Sequence, residues 1–172
     1  MENRNDYQRA YSRWRGIKTR CYNPKDKQYK FYGARGVKMC DEWLDFQNFY
    51  QWYKENEYQI EGEYMAIDKD ILGDGMLYSP ETCLIIPYRI NGLLVHKVDG
   101  DMRGLQKRGK MYQVKVRSVL TGKNEYIGTF KSVEQASKAY REAKNIIFQN
   151  VLDEYEGLIP EDVMDKLRDF KV

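Results

Sequence analysis

"KMYQVKVRSV", residues 110–119, alternates apolar and polar side chains with the period of two that a half-buried β-strand requires. Its two faces would carry Tyr112, Val114 and Val116 on one side and Gln113, Lys115 and Arg117 on the other. Because the apolar side must be covered, this stretch predicts a sheet packed on one face against another element.

The sequence after this strand supplies both a partner strand and a cover. A TGKN turn leads into EYIGTF, residues 125–130, which predicts a further strand. Residues 132–148 predict a helix with Ser132 as its N-cap. The inward positions of that helix would be Ala136, Ala139, Tyr140, Ala143 and Ile147. Residues 98–104 read as a linker, and a short acidic helix is expected after Pro160.

The N-terminal half has a different pattern. Residues 5–21 and 42–54 space their aromatic residues as amphipathic helices do. Residues 64–71 and 83–87 read as two strands around a GDG turn, and residues 88–97 as a short helix or turn. This order forms a ββα element. We therefore predict an α+β protein with an N-terminal helical and ββα module over 1–98, a three-stranded antiparallel sheet packed on one helix over 99–150, and an acidic helical tail over 151–172.

Charge is divided unevenly along the chain. Residues 1–40 carry 11 lysines and arginines against 3 acidic residues, and residues 101–150 carry 11 against 4. The intervening residues 41–100 carry 4 against 12, and residues 151–172 carry 3 against 7. Two basic blocks separated by an acidic one predict two surfaces for a polyanion, because clustered cations release counterions when they meet phosphates.

The composition indicates the cellular compartment in which the protein acts. No apolar run approaches the length of a membrane span and the N-terminus has no signal-peptide core, so we expect a cytoplasmic protein with no membrane partner. Three widely spaced cysteines are typical of reduced thiols. A zinc site formed by Cys21, Cys40, Cys83 and His96 is the alternative, although no CxxC pair supports it.

The C-terminal pattern resembles a known DNA-binding module. RGLQKRGKMYQVKVRS, EYIGTF and SVEQASKAYREAKN, within residues 103–150, resemble the ethylene-response-factor (Apetala) type of DNA-binding domain. That family lays its sheet in the major groove, so the resemblance implies double-stranded DNA as partner. The contacts it implies are Arg103, Lys107, Arg108, Lys110, Lys115, Arg117 and Lys123.

The N-terminal half resembles small bacteriophage H-N-H homing-endonuclease-like proteins. The similarity runs over residues 11–93, through RCYNP, YGARGVKMCDEW, DKDILGDGMLYSPETC and YRIN. Within it, Gly33 and Gly36 predict a tight turn that holds Arg35 where it could face phosphate or brace the ββα element.

The catalytic motif of that family is incomplete here. The resemblance places its histidine base at Lys69, a poor base at neutral pH, its middle asparagine position at Thr82 and its closing position at Asn91. Asp68, and less directly Asp70 or Asp74, could still hold Mg²⁺. His96 lies past the helix and is not expected to replace the base.

Three functions remain open from the sequence. The leading one is a double-stranded DNA-binding protein of a phage or other mobile element, with an inactive H-N-H fold and no cofactor. The second is an active Mg²⁺-dependent homing-type endonuclease that uses Asp68 and Asn91. The third is a phage inhibitor of a host restriction or CRISPR nucleoprotein complex, in which the acidic segments imitate DNA. In each case the protein would act in the cytoplasm of a bacterial host cell.

Overall fold

The computed structural model describes residues 4–94, 104–118 and 122–171, and it confirms the α+β class. The chain divides into two compact units, Met1–Asn91 and Gly92–Val172. In the described residues, no helix is both long enough and apolar enough to cross a bilayer.

The first unit combines three α-helices with two pairs of short strands. Its helices are α1 (Arg4–Tyr22), α2 (Phe46–Asn56) and α3 (Tyr88–Asn91), with 3-10 turns at Tyr29–Phe31, Gly33–Arg35 and Glu42–Leu44. Its strands are β1 (Lys38–Met39), β2 (Met65–Asp68), β3 (Leu77–Tyr78) and β4 (Leu84–Pro87). Strand β2 pairs antiparallel with β4, whereas β1 pairs parallel with β3.

An aromatic core holds this unit together. Trp43, Phe49 and Tyr53 are fully buried, and the Trp43 ring lies 5.0 Å from Phe49 and 4.7 Å from Trp52. Trp14 of α1 donates its indole N–H to the Trp43 carbonyl oxygen at 2.7 Å, which ties α1 to this core. Burial of these large rings contributes strongly to the hydrophobic stabilisation of the unit.

The boundaries of two elements in this unit differ from those that the sequence predicts. The strand predicted over 64–71 stops at Asp68, because the Asp68 carboxylate accepts the backbone N–H groups of Asp70 and Ile71 and turns the chain. The helix predicted over 42–54 is a 3-10 turn followed by α2, because Asp45 accepts the N–H of Gln47 and caps a new helix there.

The glycines of the YGARGVKMCDEW stretch have separate roles. A Cβ at Gly33 would lie 2.0 Å from the Cys21 carbonyl oxygen of α1, so only glycine allows this turn to pack on the helix. Gly36 has φ +88° and ends the second 3-10 turn. The predicted tight turn is confirmed.

The second unit is a sheet covered by a helix. Strands β5 (Leu105–Arg108), β6 (Met111–Arg117) and β7 (Asn124–Phe130) form an antiparallel sheet in that order. Helix α4 (Val133–Glu154) packs on the sheet, and α5 (Glu161–Asp169) packs on α4. Ser132 accepts the N–H of Gln135 at 3.2 Å, which confirms the predicted N-cap.

The inner face of the sheet and α4 form the second core. Val114, Val116 and Ala136 are fully buried. Helix α4 continues beyond the predicted end at 148, because Phe148, Val151 and Leu152 are buried. The ring of Phe148 makes an edge contact with the ring of Phe170, which follows α5, and the ring centres are 6.2 Å apart. One face of the sheet is therefore covered, and the other is left to solvent.

Candidate nucleic-acid interface

Strand register defines the outer face of the sheet. Residues directly opposite each other on antiparallel strands lie on the same face, and faces alternate along each strand. Since Val114 and Val116 are buried against α4, Lys115 and Arg117 lie on the opposite side, and both are exposed. The assignment of these two cations to the solvent face is confirmed.

The neighbouring strands extend this face on both sides of β6. Gln106 is opposite Gln113, Arg108 is opposite Met111, and Tyr126 is opposite Lys115. We call the outer face the set Gln106, Arg108, Met111, Gln113, Lys115, Arg117, Asn124, Tyr126 and Thr129. It contains cations, amides and hydroxyls but no carboxylate, because Glu125 is opposite Val116 and belongs to the helix side.

The cations of the outer face are not neutralised locally. Within residues 104–118 and 122–171, neither Arg108, Lys115 nor Arg117 forms an ion pair. Arg108 donates one hydrogen bond, of 3.1 Å, to the side-chain oxygen of Gln106. Three unpaired positive charges on one small face produce a local positive potential that favours a polyanion.

A bulge shapes the β7 side of this face. Val114 is opposite Gly128 and Lys115 is opposite Tyr126, so Ile127 has no register partner. Tyr126 and Thr129 consequently lie on the same face although they are three residues apart, and their hydroxyl oxygens are 2.8 Å apart. The bulge thus adds a fixed pair of hydroxyl groups to the outer face.

The size of the outer face suits a DNA groove. Adjacent strands lie about 4.8 Å apart, so the axes of β5 and β7 are separated by about 10 Å. The major groove of B-DNA is about 12 Å wide and admits a β-ribbon. Amide side chains such as Gln106 and Gln113 are of the type that can pair with the edge of adenine, and arginine is of the type that pairs with guanine.

The other predicted contact residues lie off this face or outside the described residues. Lys107 is opposite Tyr112, which places it on the helix side, although its side chain is exposed. Lys110 follows Gly109 in the β5–β6 turn, and Lys123 precedes β7. Arg35 is exposed in the first unit, and Arg103 lies outside the described residues.

Sequence reasoning missed the uncharged residues that β5 and β7 add to the outer face. Gln106, Asn124, Tyr126 and Thr129 join it through register with β6. Alternation in β6 placed Gln113 on this face, but it could not show that Gln106 lies opposite Gln113 on β5. Register across strands is not visible in a single strand, and the bulge at Ile127 reverses the alternation in β7.

The first unit contains the residues to which the H-N-H resemblance assigns the catalytic motif. Asp68 is 3% exposed, and its Oδ1 accepts the backbone N–H of Asp70 at 2.9 Å and of Ile71 at 3.0 Å. Burial, and secondarily the charge of Asp70, raises the pKa of the Asp68 carboxyl. These contacts give Asp68 the role of a turn-forming residue.

Lys69 is enclosed rather than presented to a substrate. Its side chain is buried, with Nζ 2.9 Å from Asp70 Oδ1 and 5.5 Å from the rings of both Tyr32 and Tyr78. An ammonium paired with a carboxylate and flanked by aromatic rings makes its contacts within the fold. The Thr82 hydroxyl donates to the Leu77 carbonyl oxygen at 2.7 Å, and Asn91 is half-buried at the end of α3.

The carboxylates of this region make contacts within the fold. Asp68 Oδ1 already accepts two N–H groups, and Asp70 Oδ1 is paired with the Lys69 ammonium. Asp74 Oδ1 accepts the N–H of Met76 at 2.9 Å. Each of these carboxylates thus has one oxygen engaged within the fold, and in the described ranges they do not form a group of three or more side chains that could hold a metal ion.

The cysteines do not form a recognisable zinc site. In the described ranges, no three His, Cys, Asp or Glu side chains are grouped closely enough to hold a metal, and His96 lies outside those ranges. Burial raises the pKa of Cys83 to about 12 and also raises the pKa of Cys21. These buried thiols are therefore protonated at neutral pH.

The structural role of Asp68 can be tested by comparing Asp68→Asn with Asp68→Ala. The asparagine keeps an acceptor for both N–H groups and removes a buried charge, whereas alanine leaves both donors unpaired. We expect Asp68→Ala to lower the free energy of unfolding at pH 7 by about 2 kcal/mol. Asp68→Asn should leave it within about 1 kcal/mol of wild type or raise it. The measurement is urea unfolding followed by tryptophan fluorescence.

The pH dependence of that comparison has a definite sign. A raised carboxyl pKa means that the ionised group costs stability above its folded pKa, and that this cost disappears below the unfolded value of about 4. The difference between Asp68→Asn and wild type should therefore shrink as the pH falls to 4. Equal destabilisation by both substitutions at pH 7 would instead show that the charge itself is required.

Comparisons with known proteins do not assign this chain to a family or a function. No protein-family model, no curated protein and no solved structure matches the chain.

Proposed function

We propose that this chain is a double-stranded DNA-binding protein of a phage or other mobile element, which binds through the outer face of its three-stranded sheet. One observation carries the proposal: Arg108, Lys115 and Arg117 share a solvent-facing surface that contains no carboxylate. The resemblance of residues 103–150 to the ethylene-response-factor type of domain supports the same partner.

Recognition would divide between charge and amide groups. The three cations of the outer face would contact phosphates or guanine edges. The Gln106–Gln113 pair, at the centre of β5 and β6, would contribute preference for particular bases. The bound duplex would lie along the face opposite to α4, so the helix core would stay intact on binding.

The first unit would serve binding without cleavage. The resemblance of residues 11–93 to H-N-H proteins suggests a nuclease ancestry. The contacts of Asp68 and Lys69 support an inactive fold, because the aspartate is committed to a turn and the lysine to an ion pair. The site of action would be the cytoplasm of a bacterial host cell.

The proposal is tested by measuring duplex affinity as a function of salt. Each phosphate contact lowers the slope of log K against log salt by about 0.9. Three outer-face cations therefore predict a slope of about −3 or steeper, measured by fluorescence anisotropy with a labelled 20-base-pair duplex. A slope near zero, or no binding at low salt, would refute the proposal.

The same samples also test cleavage. Incubated with supercoiled plasmid and Mg²⁺ or Mn²⁺, the protein is expected to leave the plasmid un-nicked. Nicking that Asp68→Ala abolishes would instead establish the Mg²⁺-dependent endonuclease.

A further inference from the structure

A second positively charged surface lies in the first unit, on the segment that follows α1 and ends with the first residue of β1. We call residues 25–38 the basic loop. Its five cations are all exposed, and they are Lys25, Lys27, Lys30, Arg35 and Lys38. The one acidic side chain, Asp26, accepts the N–H of Gln28 at 2.8 Å. In the described part of the chain, none of the five cations forms an ion pair.

Aromatic rings are exposed among these cations. The Phe31 side chain is 58% exposed, although phenylalanine is usually buried. The Lys30 ammonium lies 4.8 Å from the centre of the Phe31 ring. Tyr22, at the end of α1, is 45% exposed. Cations interleaved with exposed rings are the combination that single-stranded nucleic acids bind, with phosphates on the cations and bases stacked on the rings.

The basic loop is held in a fixed shape. Gly33 packs against the Cys21 carbonyl oxygen, and the Val37 N–H donates to the Tyr32 carbonyl oxygen at 3.1 Å. The Tyr22 hydroxyl accepts the N–H of Met39 at 2.9 Å, which closes the segment onto the end of α1. Phe31 is therefore presented to solvent by an ordered backbone, so little conformational entropy is lost when a base stacks on it.

Charge segregation within this unit favours an anionic partner. Residues 41–63, which follow the basic loop, carry seven acidic residues and one lysine. An anionic strand would be attracted to the loop and repelled by this acidic segment. A continuous duplex keeps its bases stacked inside, so only an unpaired base can use the Phe31 ring.

We propose that the basic loop is a binding site for single-stranded nucleic acid, in which an unpaired base stacks on Phe31 and adjacent phosphates contact Lys25, Lys27 and Lys30. This site lies in the other unit from the sheet and needs neither the outer face nor duplex binding. With this site the chain would bind strands with unpaired bases as well as duplex DNA.

The test uses the full chain with Lys115→Glu and Arg117→Glu in place, which weakens the outer face. A labelled 15-nucleotide oligothymidylate and a blunt-ended 15-base-pair duplex are titrated in fluorescence anisotropy. Phe31→Ala is expected to weaken oligothymidylate binding about tenfold. The matched control is Tyr88→Ala, because Tyr88 is 59% exposed in the same unit, and it should leave the affinity unchanged.

A second variant tests the phosphate contacts. Lys27→Glu with Lys30→Glu should make the salt slope for oligothymidylate shallower by about 1.4, at about 0.7 for each single-strand contact. Tryptophan fluorescence checks that the first unit stays folded, since Trp14, Trp43 and Trp52 all belong to it.

The outcomes separate this proposal from duplex binding. Equal oligothymidylate affinity for Phe31→Ala and Tyr88→Ala would overturn it, as would binding of the blunt-ended duplex as tight as oligothymidylate binding in the Lys115→Glu, Arg117→Glu background. Binding to phosphatidylserine vesicles but not to oligothymidylate would also overturn it, in favour of a membrane surface. Failure of the wild-type chain to bind duplex would refute only the role of the sheet.

Discussion

Replacing Lys115 and Arg117 together by glutamate is expected to weaken duplex binding about 100-fold at moderate salt. Both side chains lie on the outer face in central strand β6, and neither has an ion-pair partner among the described residues. Each reversal removes an attraction to phosphate and adds a repulsion, so about 1.4 kcal/mol for each substitution gives this factor. The measurement is anisotropy with the 20-base-pair duplex at several salt concentrations.

A control for the Lys115→Glu, Arg117→Glu variant makes the same change in net charge on the helices of the same unit. Lys138→Glu with Lys166→Glu alters exposed lysines of α4 and α5, whose partners are Glu142 and Asp162. This control should lower the affinity less than threefold, since general repulsion is screened over about 10 Å at 0.1 M salt. Similar losses in both double variants would mean that net charge, not the outer face, determines binding.

Substituting Gly104 by alanine is expected to disrupt the sheet. Gly104 has φ +68°, and a Cβ there would lie 2.2 Å from a ring carbon of Tyr140 and 2.6 Å from the Lys115 carbonyl oxygen. The Gly104 carbonyl oxygen also accepts the Lys115 N–H at 2.8 Å. Backbone strain of about 1 kcal/mol and overpacking of about 1–3 kcal/mol predict a loss of roughly 3 kcal/mol in the free energy of unfolding.

Gly109→Ala separates strain from overpacking. Gly109 has φ +60° but no atom within 4 Å of its Cβ position, so only the loss of about 1 kcal/mol from strain is expected. Because all three tryptophans lie in the first unit, the measurement should be hydrogen exchange of β6 amides by mass spectrometry. Equal protection of the β6 amides from exchange in the two variants would show that a clash with Tyr140 does not contribute to the loss of stability.

Much of the second unit could be predicted from the sequence. Strict alternation in residues 110–119 identified β6 and its two faces, and Ser132 identified the start of α4. These signals are local, since each depends on neighbouring residues along the chain. The membership of Gln106 and Tyr126 in the outer face depends on strand register and on the bulge at Ile127, which only the folded sheet defines.

The first unit shows where sequence patterns lose information. The β1–β3 pair contains two residues in each strand, which is too short for any periodicity. Asp68 has the same sequence context whether it holds a metal or forms a turn, and only the folded chain shows that its Oδ1 accepts two backbone N–H groups. The exposure of Phe31 is likewise a tertiary fact, because a Phe in a YKFY run would ordinarily be assigned to a core.

Arg108 and Lys107 provide the most direct test of the proposed interface. They are adjacent and both exposed, but register places Arg108 on the outer face and Lys107 on the helix side. Arg108→Glu and Lys107→Glu make the same change in net charge at neighbouring positions. The measurement is the dissociation constant of each variant for the 20-base-pair duplex at 0.1 M salt. We predict a loss of about tenfold for Arg108→Glu and less than threefold for Lys107→Glu; equal losses, or a larger loss for Lys107→Glu, would contradict binding through the outer face.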